Sequence, residues 1–369
     1  MIENLVSRRN FLRGTALATA GLVLAVQLPG NTRRASAAVG EQSKFIPNAF
    51  VKIDDDGITL IMPHTEVGQG IYTSSAMLMA EELEVDLDQV RVEAAPPDLK
   101  KYMDPILFDK ATGGSTSTQS DWVRLREAGA SARIMLVGAA AGRWGVPADD
   151  CRVEKGVIHH GPSGRSLSYL EVAADAATRE VPKQVPLKDP SQFRPIGTKA
   201  KRLDTPAKVD GSLLYGIDTR LPGMAYATLA IAPVKGGRIA SMNEAAARAV
   251  KGVREVVRTD DAVAVIGDHM WAAKLGVDAL ELTWESGPNA SVSTQAILDD
   301  MHEASLKPGV VVRDDNGAAE AIRKAKTKLD AVYRSPFLSH SPLEPMNCTL
   351  HIGEDRAELW VGTQVPVRA

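Results

Sequence analysis

The chain has 369 residues, enough for about two or three domains, and its 44% hydrophobic and 24% charged composition is that of a folded globular protein. A net charge of −3 leaves no cationic footprint for nucleic acid. Two cysteines far apart in sequence, Cys151 and Cys348, exclude a cysteine-ligated iron–sulfur cluster within the chain, and seven scattered histidines lack the spacing of a zinc site.

The N-terminus opens with Ser7-Arg8-Arg9-Asn10-Phe11-Leu12-Arg13, followed by an apolar run from Ala16 to Leu28 and then Ala35-Ser36-Ala37. A basic start, a short apolar stretch and an A-x-A site make a secretory leader. The apolar run falls short of the roughly 20 residues that a bilayer-spanning helix needs. Paired arginines followed by Phe11-Leu12 resemble a twin-arginine leader. That resemblance implies export of an already folded protein to the periplasm, with cleavage near Ala37. Residues 1–37 are therefore set apart from the fold.

In the mature chain, Phe50–Ile53 and Ile58–Met62 flank an Asp-Gly turn and predict a hairpin. After Gly70 the period changes, and Tyr72, Ala76, Met79, Ala80 and Leu83 mark one helical face, with Glu81, Glu82 and Glu84 away from it. Val90–Ala94 is a strand stopped by Pro96-Pro97. A helix is expected from about Asp121 to Trp144, burying Trp122, Leu125, Ala128, Ala132, Met135, Leu136 and Ala139. Residues 151–159 read as a second hairpin and Tyr169–Thr178 as a short helix, and the proline-rich segment 181–206 reads as a connection.

A second unit starts near Lys208. Strands are expected at Leu213–Asp218, Met224–Ala230, Val253–Val257, Ala262–Ile266 and Glu281–Trp284, with helices at Glu244–Val250 and Trp271–Ala279. Ser293–Leu306 is a helix in a polar connector. Asp330–Arg334 is an expected strand, and Asn347–Ile352 pairs with Ala357–Val361 across Gly353.

Two loops carry the chemistry. In Pro63-His64-Thr65-Glu66-Val67-Gly68-Gln69-Gly70 the glycines permit positive φ and close approach of backbone to a ligand, and the following helix offers amides to an anion. The carboxamide of Gln69 both donates and accepts. Taken alone, the pattern fits a tight strand-to-helix turn equally well. Thr73 stands where a dinucleotide fingerprint needs its third glycine. The second loop, Thr112-Gly113-Gly114-Ser115-Thr116-Ser117-Thr118, adds hydroxyls and backbone amides before another helix. His64 reads as a solvated loop histidine, Glu66 as a residue that orients the turn, and Glu344, between prolines in His340–Pro345, as structural.

The first loop is similar to the E-x-G-Q-G-x-x-T loop of the molybdenum hydroxylases, the xanthine dehydrogenase/aldehyde oxidase family. The second resembles their T-A-A-S-x-S-T loop with glycines replacing alanines. Residues from Thr205 to Trp284 resemble the α/β hammerhead domain, and His340–Pro345 with Trp360–Gln364 resemble the opening of a molybdopterin-binding domain. The order, with the G-Q-G loop before the hammerhead, resembles isoquinoline 1-oxidoreductase beta subunits and periplasmic aldehyde dehydrogenases.

The resemblance implies an α+β multi-domain chain. It comprises a leader at 1–37, a molybdopterin-binding-like domain at 45–180, a linker at 181–206, a hammerhead domain at 207–286, a connector at 287–325 and an incomplete molybdopterin-binding domain at 326–369. It implies that Gly68, Gln69 and Gly70 contact the pterin, that Gly114 and Ser115 lie near the molybdenum, and that Gln364 hydrogen-bonds an oxo ligand. No protein group ligates the metal. The implied cofactor is molybdopterin in its cytosine dinucleotide form, and the implied chemistry is hydroxylation of an aldehyde or N-heterocycle with oxygen from water. The implied partners are a small iron–sulfur subunit and a cytochrome or other electron acceptor. The family's G-G-F-G loop and its C-terminal glutamate base are absent. The expectation is a shortened chain with no catalytic residue of its own, inactive alone. The alternative is a non-catalytic exported binding protein that retains the scaffold.

Overall fold

The structure, a computed structural model, describes residues 22–25, 49–313, 316–339 and 341–369. The arginine pair at 8–9, the Ala35–Ala37 motif and His340 lie outside the described residues. The chain divides into two compact units, residues 1–217 with 347–369, and residues 218–346. Both mix helices and sheets, as the α+β expectation requires.

The first unit is built on a sheet of order β1-β2-β3-β4, comprising β1 (Leu22–Ala25), β2 (Ala49–Asp54), β3 (Gly57–Met62) and β4 (Val90–Ala94). The strand β1 falls inside the segment set apart as leader and pairs antiparallel with β2. The expected hairpin is β2–β3, and its turn is fixed by the Asp54 carboxylate accepting from the Asp56 amide at 3.1 Å. β3 and β4 run parallel, so the chain between them crosses over through helix α1 (Ile71–Leu83). The first loop therefore emerges at the carboxyl end of β3, where such units place ligands.

Helix α1 is buried over most of its circumference rather than along one stripe. Glu81 and Glu82, expected away from the buried face, are 1% and 0% exposed. They are tolerated because each is paired. Arg126 donates to Glu82 at 2.9 Å, and the Lys188 ammonium lies 2.9 Å from Glu81. Backbone amides add to both: Lys188 donates to Glu82 at 3.2 Å, and Arg194 donates to Glu81 at 2.7 Å. Residues 188–203 thus run as a strap over α1.

Next come the short helices α2 (Leu99–Tyr102) and α3 (Ser117–Asp121), then α4 (Arg124–Trp144). The single helix expected from Asp121 is two helices, with the ladder interrupted at Trp122-Val123. Trp122, expected inside, is 37% exposed and meets Phe193 of the strap edge-on, with the Arg126 guanidinium over both rings. Helices α1 and α4 approach closely at Gly129 of α4. A Cβ on Gly129 would come within 2.3 Å of the Met79 carbonyl oxygen.

A three-stranded antiparallel sheet, β5 (Cys151–Glu154), β6 (Val157–His160) and β7 (Arg165–Ser168), includes the expected hairpin. Its third strand, Arg-Ser-Leu-Ser, lacks a hydrophobic alternation. Ser168 and Glu171 form a reciprocal capping box at the start of α5 (Tyr169–Ala177). The buried Tyr169 hydroxyl donates to the Leu83 carbonyl at 2.7 Å, and burial raises its pKa far above the usual tyrosine value. A short helix α6 (Thr205–Val209) follows, and Leu213–Asp218 forms a turn instead of the expected strand.

The second unit contains β8 (Tyr226–Ile231), β9 (Arg238–Asn243), α7 (Ala245–Ala249), β10 (Val253–Arg258), β11 (Ala262–Gly267), α8 (Met270–Asp278) and β12 (Glu281–Glu285). Its strands pair antiparallel as β10-β11-β8 and β12-β9 around a small core that includes Ile239, Val256, Val263 and Val265. Helices α9 (Thr294–Ser305) and α10 (Ala318–Lys324) follow, and Asp330–Arg334 forms no strand. The expected last hairpin, β13 (Cys348–Ile352) with β14 (Ala357–Val361), belongs to the first unit.

Gly129→Ala should lower the urea midpoint by an amount equivalent to about 1–3 kcal/mol, because a methyl at the α1–α4 contact must push the two backbones apart. An unchanged midpoint would show that the helices do not meet there.

Candidate functional site

Glu66 organises the first loop. Its carboxylate accepts from the amides of Gly68 at 2.8 Å, Gly70 at 3.0 Å and Tyr72 at 3.2 Å. The turn needs Gly68 at φ 104° and Gly70 at φ 92°, a region that side chains strain to enter. The amides of both glycines are thereby engaged inside the protein. Arg202, from the end of the strap, donates to Glu66 at 3.1 Å and to the Gly68 carbonyl at 2.8 Å, and is itself held by Asp204. The Gln69 side chain folds onto its own loop, accepting from Val67 N at 2.7 Å and donating to Thr65 O at 3.1 Å.

Thr112 joins three segments. Its hydroxyl accepts from the Thr65 amide of the first loop at 2.8 Å. Its own amide donates to the Gln364 carbonyl at 3.0 Å, and its carbonyl accepts from the Gln364 carboxamide at 2.6 Å. Gln364, 252 residues away, is thus seated beside both loops. Gly114 at φ 58° and Ser115 at φ 57° are both left-handed, which bends the second loop sharply.

Behind the loops lies a buried charged cluster. Asp104 accepts from the Ile106 and Leu107 amides at 2.7 and 3.1 Å and from the Thr116 and Ser120 hydroxyls at 3.2 and 3.0 Å. Burial alone raises this carboxyl, but those amides, the Ser120 hydroxyl and His64 outweigh it and hold the group below the usual aspartate range. Asp121, at the expected start of the long helix, instead ends α3 and is fully buried. It pairs with Arg124, whose Nε donates at 2.9 Å. His64, expected to be solvated, is 3% exposed. Its Nδ1 lies 3.2 Å from the Ala111 carbonyl, and its Nε2 lies 3.0 Å from Asp121 and 3.9 Å from Asp104.

The loops line an open cavity of about 380 Å³. Gln69, Ser115 and Gln364, three of the residues that the family resemblance singles out, line it. Gly113 lines it too, while Gly68, Gly70 and Gly114 shape the turns without lining it. Ser74, Thr112, Ser117 and Thr118 add hydroxyls, and Val67 and Ile71 add apolar surface. No ionisable side chain is among the lining residues. A neutral wall of two carboxamides and five hydroxyls suits the hydrogen-bonding edges of a heterocycle, and hydroxyls also accept phosphate as a partner. Asp104, Asp121, Arg124 and Arg202 carry no sequence motif that marks them as site residues, because the contacts that tie them to the site run to segments distant in the chain.

Residues 7–217 match the molybdopterin cofactor-binding domain family. The chain belongs to this family. It is 31% identical to the beta chain of isoquinoline 1-oxidoreductase from Brevundimonas diminuta over 98% of this chain and 52% of that protein. It is 30% identical to a membrane-bound aldehyde dehydrogenase [pyrroloquinoline-quinone] of Gluconacetobacter polyoxogenes, over 97% and 48% of the two chains. A nicotinate dehydrogenase subunit from Pseudomonas putida is 28% identical over 86% of this chain and 27% of its own length. The chain therefore spans about half the length of the first two relatives and about a quarter of the third. The residues of the cavity wall fit a molybdopterin, whose ring edges need neutral donors and acceptors.

Thr112→Val leaves the half-buried Thr65 amide without its acceptor and should cost about 1 kcal/mol in urea unfolding, with Thr112→Ser restoring most of it. Equal midpoints for valine and serine would remove Thr112 from its joining role. Asp204 gives a pH prediction. Its hydrogen bond from Arg202, which outweighs its burial, depresses its carboxyl from 3.8 to about 2, with Lys208 adding to the effect. A depressed carboxyl stabilises the fold above its unfolded value and loses that contribution as pH falls through the folded one. Asp204→Asn should therefore flatten the loss of stability between about pH 4 and 2, read from urea midpoints at each pH.

Proposed function

We propose that this chain is the molybdopterin-binding portion of an exported oxidoreductase that hydroxylates aldehydes or N-heterocycles with oxygen taken from water. The observation that carries the reading is the convergence of two loops of the family-matched region with Gln364 on one neutral cavity. The names of the relatives support the substrate class, since they are an isoquinoline oxidoreductase, an aldehyde dehydrogenase and a nicotinate dehydrogenase. The twin-arginine-like leader supports export to the periplasm, and the cysteine count supports an iron–sulfur subunit as a separate partner that passes electrons to a cytochrome or other acceptor. In this reading the cofactor is the cytosine dinucleotide form, and residues 207–286 form a hammerhead domain.

When bound, the molybdenum–pterin group supplies the two-electron oxidation of substrate carbon. The chain supplies position. Ser115, Ser117 and Thr118 offer hydroxyls to the cofactor's polar edges, and Gln364 keeps a second amide hydrogen beyond the one given to Thr112. Gln69 keeps one likewise. Gly113 allows the backbone to approach without a side chain in the way. Val67 and Ile71 would offer apolar surface to the ring.

The test is to isolate the protein from cells that make molybdenum cofactor and to quantify molybdenum, oxidised pterin and cytosine nucleotide per chain. All three are expected in equal ratio, and Gln364→Ala should reduce retention by about tenfold, the equivalent of one polar contact. A stable, correctly folded preparation free of both pterin and molybdenum would favour the non-catalytic binding protein instead.

A further inference from the structure

His64 sits where the two loops begin, immediately before Thr65, and its ring reaches across to Ala111, immediately before Thr112. The groups facing its two nitrogens are all acceptors. Nδ1 meets a backbone carbonyl, which accepts only, so Nδ1 carries a hydrogen. Nε2 faces the carboxylates of Asp121 at 3.0 Å and Asp104 at 3.9 Å. The Asp121 approach is an ion-pair contact, and neither His64 Nε2 nor Asp121 Oδ2 has a hydrogen-bond partner. A bare nitrogen there would set a lone pair against a buried carboxylate oxygen.

The proton of this pair has two possible homes. Asp121 is an unsuitable one, because its other oxygen accepts from both Nε and Nη2 of Arg124, and a guanidinium favours the ionised acid. Charge balance agrees. Around the ring lie two carboxylates, Asp104 from the loop after α2 and Asp121 from the end of α3, with one guanidinium from the first turn of α4. A second positive charge makes the buried group neutral, which the low dielectric of the interior demands. Lys110 also lies beside Ala111 in sequence and is buried, and burial lowers the pKa of its ammonium group.

We infer that His64 is a doubly protonated imidazolium, and that as a positioning residue it holds the first loop against the second so that the two walls of the cavity stand in register. Its place in the fold is independent of what the cavity holds. Only its consequence for cofactor retention rests on the molybdopterin reading.

The test uses the chain labelled with 15N-histidine, which carries seven imidazoles. At pH 7 one ring should show protons on both nitrogens, and that signal should vanish in His64→Gln. Asp121→Asn, close to the native shape, should reduce the ratio of doubly to singly protonated ring by about tenfold or more at a given pH, the effect of removing one opposite charge at this range. The same variant should speed hydrogen exchange by about tenfold at the Thr65 amide, which donates to the second loop, and at the Thr112 amide, which donates to Gln364. A wild-type spectrum in which none of the seven rings is doubly protonated at pH 7 overturns the proposal without any variant. So does unchanged exchange at Thr65 and Thr112 in Asp121→Asn. Both readings are made without cofactor, so their failure is separate from failure to find bound pterin.

Discussion

The first unit depends on the burial of helix α1. Its N-terminus carries the Gly68–Gly70 turn, and its last turns carry two acids with almost no access to water. Buried carboxylates of this kind are tolerated only when paired, and removing a partner costs about 3–5 kcal/mol. Arg126 of α4 and Lys188 of the strap provide the pairing. Because Lys188 is drawn over the C-terminal end of α1, the chain that follows is led back along the helix. It leaves Leu203 donating to the Thr73 hydroxyl at 3.0 Å and Arg202 on Glu66. The same electrostatic requirement that packs the far end of α1 therefore also delivers the cation that fixes the loop at its near end.

The cavity shows a division of labour between neutral and charged groups. Its wall is made of amides, hydroxyls and glycine backbone. The ions stand one layer back, where Glu66 with Arg202 sets the first loop and Asp104, Asp121, Arg124 and His64 set the second. This arrangement has a physical advantage. A charge in the wall would bind counterions and water and would bias the protonation of a bound heterocycle. A charge behind the wall acts on backbone geometry and is spent on several hydrogen bonds at once. Glu66 illustrates it. Its carboxylate takes the place at the start of α1 that a free anion would otherwise fill, so the first loop is pre-formed rather than organised by its ligand.

Local chemistry was legible in the sequence. The Asp-Gly turn between β2 and β3, the change of period after Gly70 and the two small-residue loops are each set by residues within a few positions of one another, and the structure carries all of them. What escaped was set by distant partners. Glu81 and Glu82 read as solvent-facing because charge is the usual mark of a surface, and only residues 188–194 explain their burial. His64 read as a solvated loop residue for the same reason. The strands β7 and β9 lack β-branched runs and are held by neighbours that already form a sheet. Asp330–Arg334 had the composition of a strand and forms none.

Gln364 combines the two kinds of signal. Its family resemblance marked it in the sequence, but its position rests on Thr112, a residue whose three hydrogen bonds no local pattern announces. The consequence is mechanical. A displacement of the first loop acts on the Thr112 hydroxyl through the Thr65 amide, and Thr112 passes it to Gln364 through its own amide and carbonyl. The three walls of the cavity therefore move together, and the cavity's width is governed by whatever fixes the loops at their bases. Those fixed points are Glu66 for the first loop and Asp104 for the second, and the His64 side chain bridges the bases of both loops.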